Sequence, residues 1–124
     1  MHAQALKETI NEHRLIFGVL AQASGELLAR AGDFDAPEFH SFSLCSPPWL
    51  PETSQEFQYM FEWLEGKLLP QIVSEGGRYL LLMRPQERMV AVFGGQSAGR
   101  DAVWNYHHSQ AVSQSLECHL GRAI

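Results

Sequence analysis

The sequence predicts an α/β sandwich built on an antiparallel sheet, and three observations predict it. Five short segments, Leu15 to Ala21, Glu26 to Ala31, Leu68 to Ser74, Tyr79 to Met83 and Met89 to Phe93, read as strands. Turns of hairpin length, Ser24-Gly25, Gly76-Gly77 and Pro85-Gln86-Glu87, join three successive pairs of them. Helical periodicity precedes, divides and follows the set. Parallel neighbours need long crossover connections, so turns this short make the sheet antiparallel.

Taken in order, Ala3 to Arg14 carries Ala3, Leu6 and Ile10 on one thin stripe, a short amphipathic helix that lies on something. Leu15 to Ala21 is nearly continuous in apolar residues and includes β-branched Ile16 and Val19, as expected of an interior strand. Glu26 to Ala31 is mixed in polarity and ends at Gly32-Asp33, which suits an exposed edge. Asp35, with Pro37 just inside and Glu38 three residues on, starts a helix, because an Asx cap takes up an orphan amide and proline is tolerated in the first turn. Pro47, Pro48 and Pro51 end it. Thr53 with Glu56 forms a capping box that restarts helix to Leu64, and Gly66 stops it.

Pro70 cannot donate to a ladder, so Leu68 to Ser74 belongs at an edge or is bulged. Met89 to Phe93 is continuously apolar and therefore interior. Gly94-Gly95 and Gly99 read as a flexible connection to a last helix, capped by Asp101, running through Leu120 and ended by Gly121. Its modest stripe of Trp104, His108, Ala111, Val112, Ser115, Leu116 and Leu120 suits one-sided packing on a sheet.

The helix from Thr53 to Leu64 has two apolar faces. At about 100° per residue, Phe57, Met60, Phe61 and Leu64 share a stripe, and Tyr59 and Trp63 stand opposite. A chain of 124 residues builds one domain, residues 1–124, with one core for the first stripe. The second face is then a contact surface for another chain, since aromatics carry much of the energy at interface cores. The alternative is that both rings lie half-buried under a loop with their polar tips in water.

Charge and cysteine content exclude several classes of partner. A net charge of −5 without a Lys/Arg cluster argues against nucleic acid or an anionic membrane. Met1 to Arg14 lacks the apolar run of a signal peptide, and no stretch approaches the roughly 20 residues of a membrane span. Cys45 and Cys118 are isolated, which fits free thiols in a reducing, cytoplasmic setting.

No motif for chemistry assembles from the spacing. His107, His108, Cys118 and His119 resemble a metal set, but His108 and His119 lie about 16 Å apart along a helix, and an i, i+4 pair is missing. Ser24, Ser41, Ser97 and Cys45 lack the flanking signature of a nucleophile. Gly94 to Gly99 lacks the Lys-Ser/Thr of a phosphate loop and reads as a mobile loop. Glu52, Glu56, Glu62 and Glu65 form a solvated rim around the aromatic patch. No catalytic residue, cofactor or metal is assigned.

The segment from Phe17 through Ser24-Gly25 to Gly32-Asp33, entering Asp35-Ala36-Pro37-Glu38, resembles the start of a Roadblock/LC7 domain. Gln71-Ile72-Val73, Gly77 to Met83 and Val90 to Phe93 are similar to that family's third to fifth strands, and the resemblance spans about residues 4 to 121. It departs from the pattern at Pro47 to Pro51 and at Pro70. The resemblance implies a five-stranded antiparallel sheet in the order 2-1-5-4-3, the first and last helices on one face and the middle helix on the other. It also implies homodimers joined through the middle helix and third strand, which places Tyr59, Trp63 and Ile72 at the contact and Trp49, Glu52 and Glu56 on its rim. Family members regulate small Ras-like GTPases, scaffold signalling complexes or serve as dynein light chains. A non-enzymatic dimeric module is the expectation, and a small-molecule sensor of related sandwich shape is the alternative.

Overall fold

Alternation along the strands sorts the sheet residues into two cores, and the helices close them from opposite sides. The computed structural model describes residues 2–33, 53–75, 77–96 and 102–122. Their order is α1 (His2–His13), β1 (Phe17–Gln22), β2 (Leu27–Gly32), α2 (Ser54–Trp63), β3 (Gln71–Glu75), β4 (Arg78–Met83), β5 (Met89–Gln96) and α3 (Ala102–Arg122). The five strands form one sheet in the order β2-β1-β5-β4-β3, with every neighbouring pair antiparallel. The expected helix from Asp35 and the prolines 47, 48 and 51 lie outside the described residues.

On one face, Leu20, Leu81, Met83 and Phe93 pack against Leu6 and Ile10 of α1 and Val112, Leu116 and Leu120 of α3. On the other, Phe17, Val19, Leu80, Leu82 and Val92 pack against Phe57, Met60 and Leu64 of α2. The period of two explains the division, since successive strand residues point to opposite faces. β1 and β5 are buried on both sides, as their continuous apolar runs require, whereas β2 has an exposed, mixed pattern at the edge. Among the described residues, no helix is long and apolar enough to cross a membrane.

Four differences from expectation have a visible physical cause. β1 starts at Phe17 because Arg14 takes a left-handed φ of 55° and Leu15 N donates to Ile10 O at 3.0 Å, so the helix end consumes the first residues of the apolar run. Pro70 precedes β3 instead of interrupting it, and β3 is an edge strand. Gly121 lies inside α3 and does not stop it.

The fourth is the largest. Gly94 and Gly95 are not a flexible connection but buried residues of β5, paired with Phe17 and Leu80 and with Tyr79. A Cβ on Gly94 would stand 2.1 Å from Phe17 Cε1, and one on Gly95 2.4 Å from Tyr79 Oη. The missing side chains are what lets two large rings lie across the strand.

Candidate functional site

The middle helix is fixed at both ends by groups visible in the sequence. Thr53 Oγ1 accepts from Glu56 N at 3.2 Å and Thr53 N donates to Glu56 Oε1 at 3.0 Å, so the capping box is closed. Gln58 Nε2 donates to Ser24 O in the β1–β2 turn, which ties the helix to the sheet. Gly25 has a φ of 96°, and a Cβ there would meet Ser54 O at 2.2 Å, so the turn needs glycine for conformation and for space. Beyond Leu64 the chain turns away at Gly66, whose φ is 77°.

The rotation of α2 follows from that anchoring. Phe57, Met60 and Leu64 are buried. Phe61 is half-buried, with the Arg84 guanidinium 3.9 Å from its ring centroid. Tyr59 stands outward at 46% exposure, as its position opposite the core stripe requires. Trp63 is half-buried: one side packs against the core, and Lys67 Nζ lies 4.5 Å over its ring. The outer surface is thus the exposed Tyr59 phenol beside the Lys67-capped Trp63 ring, with Phe61 and its Arg84 cap on the core side of the helix.

Of the residues expected at the contact, Tyr59 and Trp63 fall on the outer side and flank of α2, and Ile72 does not join them. Ile72 packs against the core under α1 and α3, and its neighbour Val73 is the β3 residue on the α2 side. One register step separates the two, and it was not legible because Pro70 broke the alternation that sets the phase. Glu56 is half-buried, and its carboxylate serves the cap first. Trp49 and Glu52 lie outside the described residues.

A second constellation, not foreseen as a cluster, lies between α1, α3 and β4. His13 Nε2 is 2.7 Å from Ser115 Oγ, His119 Nε2 is 2.6 Å from Glu12 Oε1, and His108 Nε2 is 2.5 Å from Tyr79 Oη. These pairs are 102, 107 and 29 residues apart in the chain, so no local spacing announces them. Burial lowers the pKa of His13 and of His108 and raises that of Tyr79 to about 12. The bond from His119 draws the Glu12 carboxyl below its ordinary range.

The chemistry open to this cluster is limited. Ser115 and His13 resemble a nucleophile and its base, but the nearest carboxylate, Glu12 Oε2, approaches the same Nε2 at 4.0 Å and so cannot orient the ring through Nδ1. Among the described residues, no three His, Cys, Asp or Glu side chains converge as metal ligands. Cys118 is exposed and unbridged. Gly94 and Gly95, which open the sequence resembling a phosphate loop, are held in the ladder and offer no loop amides.

No protein-family model matches the sequence, and no curated protein aligns with it. Solved structures do match its shape. MglB from Myxococcus xanthus superposes with a TM-score of 0.61 at 11% identity, over 99% of this chain and 96% of that one. An MglB with a tetrameric arrangement gives 0.54 at 12% identity, over 99% and 90% of the two chains. A Roadblock/LC7 domain from Streptomyces avermitilis gives 0.54 at 10% identity, over 95% and 96%. With the strand order and the helices on their expected faces, these likenesses establish that the chain has a Roadblock/LC7-like fold.

Proposed function

We propose that the chain is a cytoplasmic, single-domain, non-enzymatic module that forms a homodimer and binds a small Ras-like GTPase, whose activity it modulates or which it scaffolds. The observation that carries this reading is the outer side of α2: Tyr59 exposed, Trp63 half-buried at its flank, and Glu62 and Glu65 exposed around them. Aromatic anchors ringed by charge are the usual composition of a protein contact. The fold supports the reading, because the Roadblock/LC7 resemblance implies dimers joined through this helix and GTPase partners. A similar MglB structure has a tetrameric arrangement, so the fold accommodates self-association in that protein.

A protein that acts by presenting a surface neither binds nor hydrolyses GTP alone, and its partner binding weakens with salt because acidic groups rim the contact. Trp63→Glu drives a charge into the apolar contact and yields monomers. Light scattering with the wild type and this variant is the test. A wild-type monomer at high micromolar concentration, or an unaffected dimer in the variant, removes the proposal. Calorimetry with GTP, GDP and magnesium supplies the second arm: a stoichiometric heat of binding to the isolated chain overturns the non-enzymatic reading.

A further inference from the structure

The seam between α1, α3 and β4 holds polar groups with pairings that exclude one another in different protonation states. His108 lies flat on Trp104, ring centroids 4.4 Å apart and planes 13° from parallel. Its Nε2 faces Tyr79 Oη at 2.5 Å, and Tyr79 is only 2% exposed. With the buried phenol as donor, His108 is the neutral tautomer with Nε2 bare as acceptor. His13 stands edge-on to His108 at 6.0 Å between centroids. Among the described residues, the remaining charged and titratable groups facing the pair are Glu12, with Oε2 4.0 Å from His13 Nε2, and His119. Glu12 Oε1 is engaged by His119 Nε2 at 2.6 Å, and Glu8 Oε2 lies 2.8 Å from His119 Nδ1 without the direction of a hydrogen bond.

We propose that this seam is an acid-sensitive latch: neutral His108, accepting from Tyr79 and stacked on Trp104, holds the first half of α3 to β4, and protonation of His108 and His13 releases it. A proton on Nε2 makes the ring a donor, so the Tyr79 oxygen must accept and its buried hydroxyl proton loses the acceptor it had. Two cations then stand 6.0 Å apart, centroid to centroid, in a half-buried seam. The Trp104 face attracts a cation and opposes release. Desolvation of both rings acts the other way and lowers the pKa of each, and Glu12, whose charge would favour a cation on His13, is engaged by His119. With folded values below the unfolded value of about 6.5, the unfolded or opened chain takes up more protons. The contribution is therefore complete at higher pH and is lost as pH falls from about 6.5 through the folded values.

The test is hydrogen exchange of the full chain at pH 7.5 and 5.5, corrected for intrinsic rates. The amides from Trp104 to Val112 lose protection about tenfold or more relative to those of β5, the scale of one unit of pH. His108→Gln, which still offers Tyr79 an acceptor oxygen, removes most of that pH dependence. A side chain with only a structural role would lower protection equally at both pH values. Equal slopes in the variant and the wild type overturn the latch. If the variant does not fold, ring-proton NMR of the wild type decides: midpoints for His13 and His108 below the ordinary value of about 6.5 support it, and midpoints at or above that value overturn it.

Discussion

On one face of the sheet, α1 and α3, of 12 and 21 residues, lie together and bury an apolar stripe beside a hydrogen-bonded polar seam. On the other, the 10 residues of α2 insert three apolar side chains and leave Phe61, Tyr59 and Trp63 wholly or partly outside. On the first face three side-chain pairs tie the elements together, His13 to Ser115, His119 to Glu12 and His108 to Tyr79, although Asn105 Oδ1 and His119 Nδ1 stay buried without a hydrogen bond. The second has aromatic area that its own core does not absorb, with cations laid over two of the three rings. The difference teaches what length and packing do: the two-helix layer buries its stripe against the sheet, and the short helix leaves aromatic area at the surface.

That comparison breaks first under truncation. Leu116 and Met60 are both fully buried, one under each layer. The cost of a cavity depends on how far its surroundings settle into it, and values for such changes range over about 2–5 kcal/mol. Leu116 belongs to a long helix packed on both α1 and the sheet, so Leu116→Ala falls near the upper end, about 4 kcal/mol. The short α2 can move inward, so Met60→Ala falls near the lower end, about 2 kcal/mol. Urea unfolding of the two variants measures the gap. Equal losses would show that the α2 layer is as rigid as the other and remove the contrast.

A smaller effect probes the strand beneath both layers. Gly94→Ala places a methyl 2.1 Å from Phe17 Cε1, in a strand paired on both sides, and overpacking of this kind costs about 3 kcal/mol. Phe17→Leu in the same chain returns part of that loss, because the two sites share one space and their effects are not additive. Strict additivity in urea unfolding would mean that the ring is not what requires glycine there.

The element order, the capping box and the two-sided rotation of α2 were legible because each rests on residues within a few positions of one another. Thr53 and Glu56 are three apart, and the apolar stripe of α2 is a local period. What escaped depends on neighbours distant in the chain. A glycine pair at Gly94-Gly95 reads as a loop until Phe17 and Tyr79 are known to cross it. The one hint was two large aromatics in strands that would need small residues opposite. His13 gave no sign of meeting His108 and Ser115, and the face of Ile72 depended on a register that Pro70 obscured. The surface of α2 was legible as a surplus of aromatics, and its cation caps were not.

The smallest effect sharpens the contrast at the helix ends, where one substitution is expected to have opposite signs. Gly66 follows α2 with a φ of 77°, and Gly121 sits in the last turn of α3; an added Cβ meets nothing within 4 Å at either. Space is therefore equal, and only the backbone differs. At Gly66 an alanine must adopt the left-handed conformation, so Gly66→Ala destabilises by about 1 kcal/mol. At Gly121 the backbone is helical, and alanine both favours the helix and narrows the unfolded ensemble, so Gly121→Ala stabilises by about 0.5 kcal/mol. Thermal unfolding at matched protein concentration resolves the two signs, because dimerisation would otherwise shift the midpoint by mass action. A loss at Gly121 would mean that α3 stops there after all, as the sequence first suggests. A gain at Gly66 would mean that the left-handed turn does not set where α2 ends and what it presents.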